Sequence, residues 1–360
     1  MSGLELARRF YVEAVLPIVE ATFPGLVHSA ARIGRGSEVL GFDDRVSRDH
    51  DWGPRMELFL APADRDRCAG RLADALAEDL PSNFLGHSTS FGFDDDGVGL
   101  PIEVAAGEPV AHRVEVLELG EWCEDMMGFD PRAGVGCLDW LATSSHRLAE
   151  MTGGEVFHDG LGEVQPMRAA LAWYPHDVWL FVLASQWRRI AQEEAFVGRC
   201  CQVGDDLGAR LIAARLVRDL MRLCLLMERQ YPPYSKWLGS AFGRLDCAGA
   251  LTPMFTSALR ARDAPELQRR MAAACEAVAA RHNELGITEQ IDARTRPFRT
   301  RGYPVLLADR FVTAIHHEIS GSHLRDLPLI GSVDQIVDST DVLGRAHLAR
   351  AAATAALGGR

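Results

Sequence analysis

The chain has 360 residues, 48% of them hydrophobic, with a formal net charge of -12 and a pI near 5.5. That balance argues against a surface that grips nucleic acid throughout by counterion release, and the length exceeds what one compact core ordinarily organises, so two domains with room for a third small unit are expected. The eight cysteines show no CxxC pair and no His partner at zinc-finger spacing, which reads as a set of reduced, mostly buried thiols. The N-terminus MSGLELARRF lacks a signal pattern and no apolar run reaches bilayer length, so the expected setting is cytoplasmic with no membrane partner.

In chain order, apolar residues recur at helical spacing from Leu4 to Ala21, and Phe23-Pro24-Gly25 ends that helix. Strand-like runs follow at Leu26–Ile33 and Trp52–Leu60, then a helix over Ala63–Leu80. Gly99–Ala105 and His112–Leu119 read as two more strands across a Gly-Glu-Pro turn. Beyond Gly136 the pattern changes to long amphipathic segments: Leu138–Met151, Met167–Trp173, Val178–Val203 and Asp206–Gln230, the last broken by YPPY at 231–234. A helix over Ala264–Leu285 and a helical tail over Tyr303–Leu357, interrupted at LPLIGS, complete the reading.

The stretch GRGSEVLGFDDRVSRDHDWGP, residues 34–54, packs four aspartates and a glutamate around a glycine turn. Gly36 and Ser37 offer close backbone approach and a hydroxyl to an anion such as a phosphate. On an extended backbone Asp49 and Asp51 point to one side, where both carboxylates meet one cation. Two carboxylates and a third from a neighbouring strand suit a pair of Mg²⁺ ions, whose other positions go to water and substrate phosphate. A solvated acidic loop is the plain alternative.

A hydrophobic residue and Gly-Ser, a loop, then an acid-x-acid pair resembles the signature of the nucleotidyltransferase superfamily, with His50 a departure at a position that is usually apolar. The resemblance implies a third acid on a later strand between apolar neighbours. Both Ile102-Glu103-Val104 and Val114-Glu115-Val116 qualify. Glu115 is preferred, because HRVEVLEL looks like the strand of aminoglycoside adenylyltransferases whose glutamate completes the trio and activates the acceptor hydroxyl; Glu103 is held in reserve. With YPPYSKWLGSAF, the same motifs resemble one bacterial family of unassigned function within the superfamily.

Of the 38 basic residues only Lys236 is lysine. A compact ammonium can reach a phosphate where a planar fork fits less well. The resemblance assigns Lys236 to the nucleotide phosphates, against the plainer reading of chance survival. Arg215, Arg218 and Arg222 fall three or four apart and can line one helix face, although pairing with acids explains such a row equally well. His316, His317, Glu318 and His323 read as a surface cluster rather than a metal site, and FHDG at 157–160 as a turn. Arg294, Arg296, Arg299 and Arg301 interleaved with Phe298 and Tyr303 keep RNA open as a partner, though a solvated connector is the default.

The expected architecture is α+β: a nucleotidyltransferase-like mixed β-sheet domain at 1–130, a helical bundle at 131–290 and a C-terminal helical extension at 291–360. The implied reaction moves a nucleoside monophosphate from an NTP, ATP foremost, to an unidentified acceptor: a small hydroxylated molecule, a tRNA or a protein side chain. Asp49, Asp51 and Glu115 would bind two Mg²⁺, and Gly36, Ser37 and Lys236 would bind the phosphates. The competing class is a non-catalytic nucleotide-binding or regulatory protein on the same fold, and an RNA-directed enzyme is a third.

Overall fold

The computed structural model describes residues 1–48, 50–95, 97–105 and 107–358 of a mixed α/β chain. The chain divides into two compact units: Met1–Val135 with Arg147–Ala172 and Arg345–His347, and Gly136–His146 with Trp173–Gly344 and Leu348–Arg360. The stretch expected as a bundle and the stretch expected as a C-terminal extension thus fall mainly in one unit.

In the first unit, α1 (Gly3–Phe10) begins where the Ser2 hydroxyl accepts a hydrogen bond from the Glu5 amide, and it continues through a π turn at Tyr11–Val15 into α2 (Leu16–Thr22). The chain then forms β1 (His28–Arg32), β2 (Arg55–Leu60), α3 (Pro62–Asp79), β3 (Arg113–Leu117), α4 (Leu119–Met127) and β4 (Glu155–Asp159). The sheet order is β3-β2-β1-β4. Strand β1 runs antiparallel to both neighbours, whereas β2 and β3 are parallel, a pairing that needs a crossover such as the one α3 provides.

Alternation along the strands sorts the two faces of this sheet. Ala30, Met56, Leu58 and Val114 join Leu6, Phe10 and Val15 of the N-terminal helix and Leu72 and Leu76 of α3 in one hydrophobic core. Cutting Leu72, fully buried there, to alanine would cost about 2–5 kcal/mol. The intervening strand residues, Arg55 and Glu57 on β2 and Arg113 and Glu115 on β3, belong to the opposite face, and the parallel register sets Arg55 beside Arg113 and Glu57 beside Glu115.

Three expectations are corrected here. The strand expected over Gly99–Ala105 shrinks to Gly99–Pro101, paired with Phe91–Phe93 in a separate hairpin. FHDG is not a turn: His158 and Asp159 pair with β1 in β4. Asp159 there accepts from the Ser29 hydroxyl at 2.7 Å and from the Gln165 amide at 2.9 Å, tying the strand end to the following helix, Val164–Ala170. The helix expected over Leu138–Met151 is two, Cys137–Ala142 and Ser145–Thr152, with Thr143 extended between them.

The second unit is built on the long antiparallel pair His176–Gln202 and Asp206–Met227, whose tight connection ends with the Asp205 carboxylate accepting from the Gly208 amide at 2.8 Å. Helices Ser235–Phe242, Ala248–Leu259 and Ala264–Glu284 follow. Trp187 stacks on Phe311 of the helix Asp309–Glu318 with ring centroids 4.4 Å apart. Among the described residues no helix is long and apolar enough to cross a membrane.

Candidate functional site

Strand β1 ends in Arg32, and the chain turns sharply through Ile33-Gly34-Arg35-Gly36-Ser37. Both glycines take positive φ, 80° at Gly34 and 151° at Gly36. A Cβ on Gly34 would lie 3.0 Å from the Trp122 ring, and one on Gly36 would lie 2.6 Å or less from guanidinium nitrogens of Arg32 and Arg55 and from Glu38 Oε2. The turn therefore admits no side chain at Gly36 without displacing what lies beneath it.

Beneath it lies a buried lattice of charge. Arg32 donates to Glu38 through Nε at 2.8 Å, to Glu57 through Nη1 at 2.7 Å, and to the Arg35 carbonyl. Arg55 donates to the same Glu38 oxygen through Nε at 3.0 Å and Nη2 at 2.8 Å. Glu57 also accepts from the Ile33 amide at 3.0 Å. All four side chains are nearly excluded from solvent. Burial favours the protonated form of Glu38, but Arg32 and Arg55 outweigh it and hold the carboxyl at about 2. Burial likewise pulls Arg32 down, yet Glu38 and Glu57 raise it overall, whereas burial and the nearby Arg32 push Arg55 down to about 10. In Glu57 burial prevails over the attraction of Arg32, so its pKa is raised. Glu38 Oε2 is buried without a hydrogen-bond partner.

Above the lattice a cavity of about 370 Å³ opens, bordered by Gly34, Arg35, Glu57, Arg113, Glu115 and Trp122. Glu115 is exposed, one strand over from buried Glu57 and in register with it. Asp51 lies in the loop before β2 with φ of 47°, so the period-two argument that would align it with Asp49 on an extended backbone does not hold. Its carboxylate accepts from Arg113 at 2.7 Å and from the Gly99 amide at 3.3 Å, while its own amide donates to the Gly99 carbonyl at 2.8 Å. Asp49 lies outside the described residues. Glu103 is exposed and follows the short hairpin strand; it does not border the cavity.

Glu115 and Asp51 supply hard oxygen donors of the kind Mg²⁺ takes, on neighbouring segments linked by Arg113. Among the described residues no three His, Cys, Asp or Glu side chains gather as a metal-holding group. Sequence reasoning missed Glu38, Arg55, Glu57 and Arg113. A signal for Glu57 was present, since Met56-Glu57-Leu58 repeats the apolar-acid-apolar pattern that drew attention to Glu115.

In the second unit Lys236 is exposed in the first turn of Ser235–Phe242, its Nζ 4.9 Å from the Trp237 ring centroid. The row Arg215, Arg218 and Arg222 is paired with Glu193, Asp338 and Asp334 at 3.0, 3.0 and 3.6 Å. Around Phe298, which stacks on Tyr303 at 5.7 Å, Arg296 pairs with Asp292 and Arg301 donates to Gln202. His316 Nε2 lies 3.2 Å from the Arg325 carbonyl, a helix-end contact.

Residues 140–238 match a family model described as a domain of unknown function (DUF4037). That segment includes YPPY and Lys236. No curated protein and no solved structure matches the chain.

Proposed function

We propose that the chain is a nucleotidyltransferase that moves a nucleoside monophosphate from an NTP, ATP foremost, onto an acceptor hydroxyl and releases pyrophosphate. What supports the reading most is one juxtaposition: an exposed Glu115, in register with Glu57 on a parallel strand, borders a cavity that Gly34 and Arg35 of the glycine turn also border, one residue before Gly36, where no Cβ fits. The chemistry needs a carboxylate at an open anion-binding edge, and that is what this juxtaposition offers. Fold membership in the nucleotidyltransferase superfamily belongs to the same proposal.

In this scheme the Gly36 and Ser37 amides and the Ser37 hydroxyl meet the phosphates. Asp49, Asp51 and Glu115 would hold Mg²⁺, two ions in the full arrangement, whose chemistry is to neutralise charge on the transferred phosphoryl group. Glu115 takes the proton of the acceptor hydroxyl as it attacks phosphorus. Arg113 keeps the Asp51 carboxylate in position. The acceptor is a small hydroxylated molecule, a tRNA or a protein side chain.

A second reading, nucleotide binding without turnover, has one observation in its favour: the Asp51 carboxylate is already engaged by Arg113. One experiment separates the two. The purified full chain is incubated with Mg²⁺, α-labelled NTPs and fractionated small-molecule, tRNA and protein extracts. Label transferred with stoichiometric pyrophosphate supports the enzyme. NTP binding by calorimetry with no transfer to any fraction supports the binding protein, and neither result would remove both.

A further inference from the structure

Away from that site, two cysteines from different helices meet in the second unit. Cys224 lies in the last turn of Asp206–Met227, and Cys247 caps the start of Ala248–Leu259. Both are buried, and both border a cavity of about 230 Å³ that Met227, Glu228 and Arg281 also border. Cys224 and Met227 are three residues apart, so one helix face carries a thiol and a thioether toward the same space.

From this grouping of two thiols and a thioether around one cavity, we infer that Cys224 and Cys247 form a binding site for one thiophilic d¹⁰ cation, with Met227 as a third soft donor. Sulfur donors select such cations over the hard ions that carboxylates prefer. Charge supports it. Arg281 is shared by Glu228 and Glu284, each at 3.1 Å, which leaves one carboxylate charge in excess beside the cavity and favours a cation, and Glu228 accepts from the Asp246 amide at 2.9 Å and the Cys247 amide at 3.2 Å, which holds Cys247 in place. A divalent cation with two thiolates is neutral as a unit, so desolvation opposes it little. A thiol binds such a cation as the thiolate, so the cation displaces the thiol proton. Binding exchanges thiol protons for the cation and involves no oxidation. It closes the chain between residues 224 and 247, the segment that carries YPPY and Lys236. The inference does not depend on the proposed enzymatic reaction.

The test uses Cd²⁺ with the reduced full chain under exclusion of oxygen. One Cd²⁺ per chain should bind, with thiolate-to-cadmium charge-transfer absorption, and Cys224→Ser or Cys247→Ser should each weaken it by about 100-fold or more, while Cys200→Ser and Cys201→Ser leave it unchanged. In the unmodified chain, Cd²⁺ should protect Cys224 and Cys247, and no other cysteine, from alkylation read by peptide mass spectrometry; this arm stands even if a variant fails to fold. Unchanged affinity in the Cys224→Ser/Cys247→Ser double variant, protection confined to Cys200 and Cys201, or a Cys224–Cys247 disulfide in protein isolated without reductant would overturn the inference.

Discussion

Two sets of acids and arginines share one sheet in the first unit, and they differ in what surrounds them. Arg32, Glu38, Arg55 and Glu57 are buried and bound to one another, whereas Glu115 and Arg113 border the cavity and Arg113 pairs outward with Asp51, whose side chain is about two-fifths exposed (43%). In the buried set every charge depends on its neighbours, so removing one strands the others in a medium that does not solvate them. In the edge set each charge is partly solvated, so its loss leaves the fold nearly untouched. The same residue types therefore serve as scaffold in one place and stand available for chemistry in the other.

The largest expected effect is on the scaffold. Arg32→Met removes the cation shared by Glu38 and Glu57 and should lower unfolding stability by about 3–5 kcal/mol, measured by urea denaturation. A loss under about 1 kcal/mol would show that the lattice is not held as a unit.

Next comes the turn itself. Gly36→Ala puts a methyl group where Arg32, Arg55 and Glu38 already stand, at a φ that alanine resists, and should cost about 1–3 kcal/mol by the same measurement. Stability equal to the parent chain would mean that the turn relaxes freely and is not set by the lattice.

A smaller, pH-dependent effect separates the sets further. Glu38 is held at about 2, well below the roughly 4.3 of an unfolded glutamate, so its folded pKa is depressed. Its stabilisation is present in full above about pH 5 and is lost as pH falls toward 2, because the unfolded chain binds the proton first. Glu38→Gln should flatten the fall in stability across that window.

How far this contrast was legible in the sequence varies by residue. The glycine turn, β1, β2, α3, β3 and the long helical pair were readable from apolar patterning and punctuation: β1 and β2 are buried along their whole length, α3 on one face, and Gly or Pro stands near the ends of these elements. Strand β4 was not: Glu155-Val156-Phe157-His158-Asp159 is short, polar and only partly buried, and it is a strand because β1 offers it an edge. The helix Ala248–Leu259 was hidden by Pro253. The lattice was invisible for a related reason, since Arg32 and Glu57 meet across 25 positions and nothing local marks Glu38 as the acid that two arginines share. Asp51 shows the opposite failure: its spacing from Asp49 suggested a strand pair, and the backbone makes a left-handed loop residue of it.

The least expected change to the fold, and the largest to the proposed chemistry, meet in Glu115→Gln. Its urea midpoint should match the parent within the equivalent of about 0.5 kcal/mol. Pyrophosphate release from NTP with Mg²⁺ and acceptor should fall about 10²–10³-fold. That pairing, an intact fold with turnover lost, is what the division between buried scaffold and open edge predicts; a Glu115→Gln chain that releases pyrophosphate at the parent rate would contradict it.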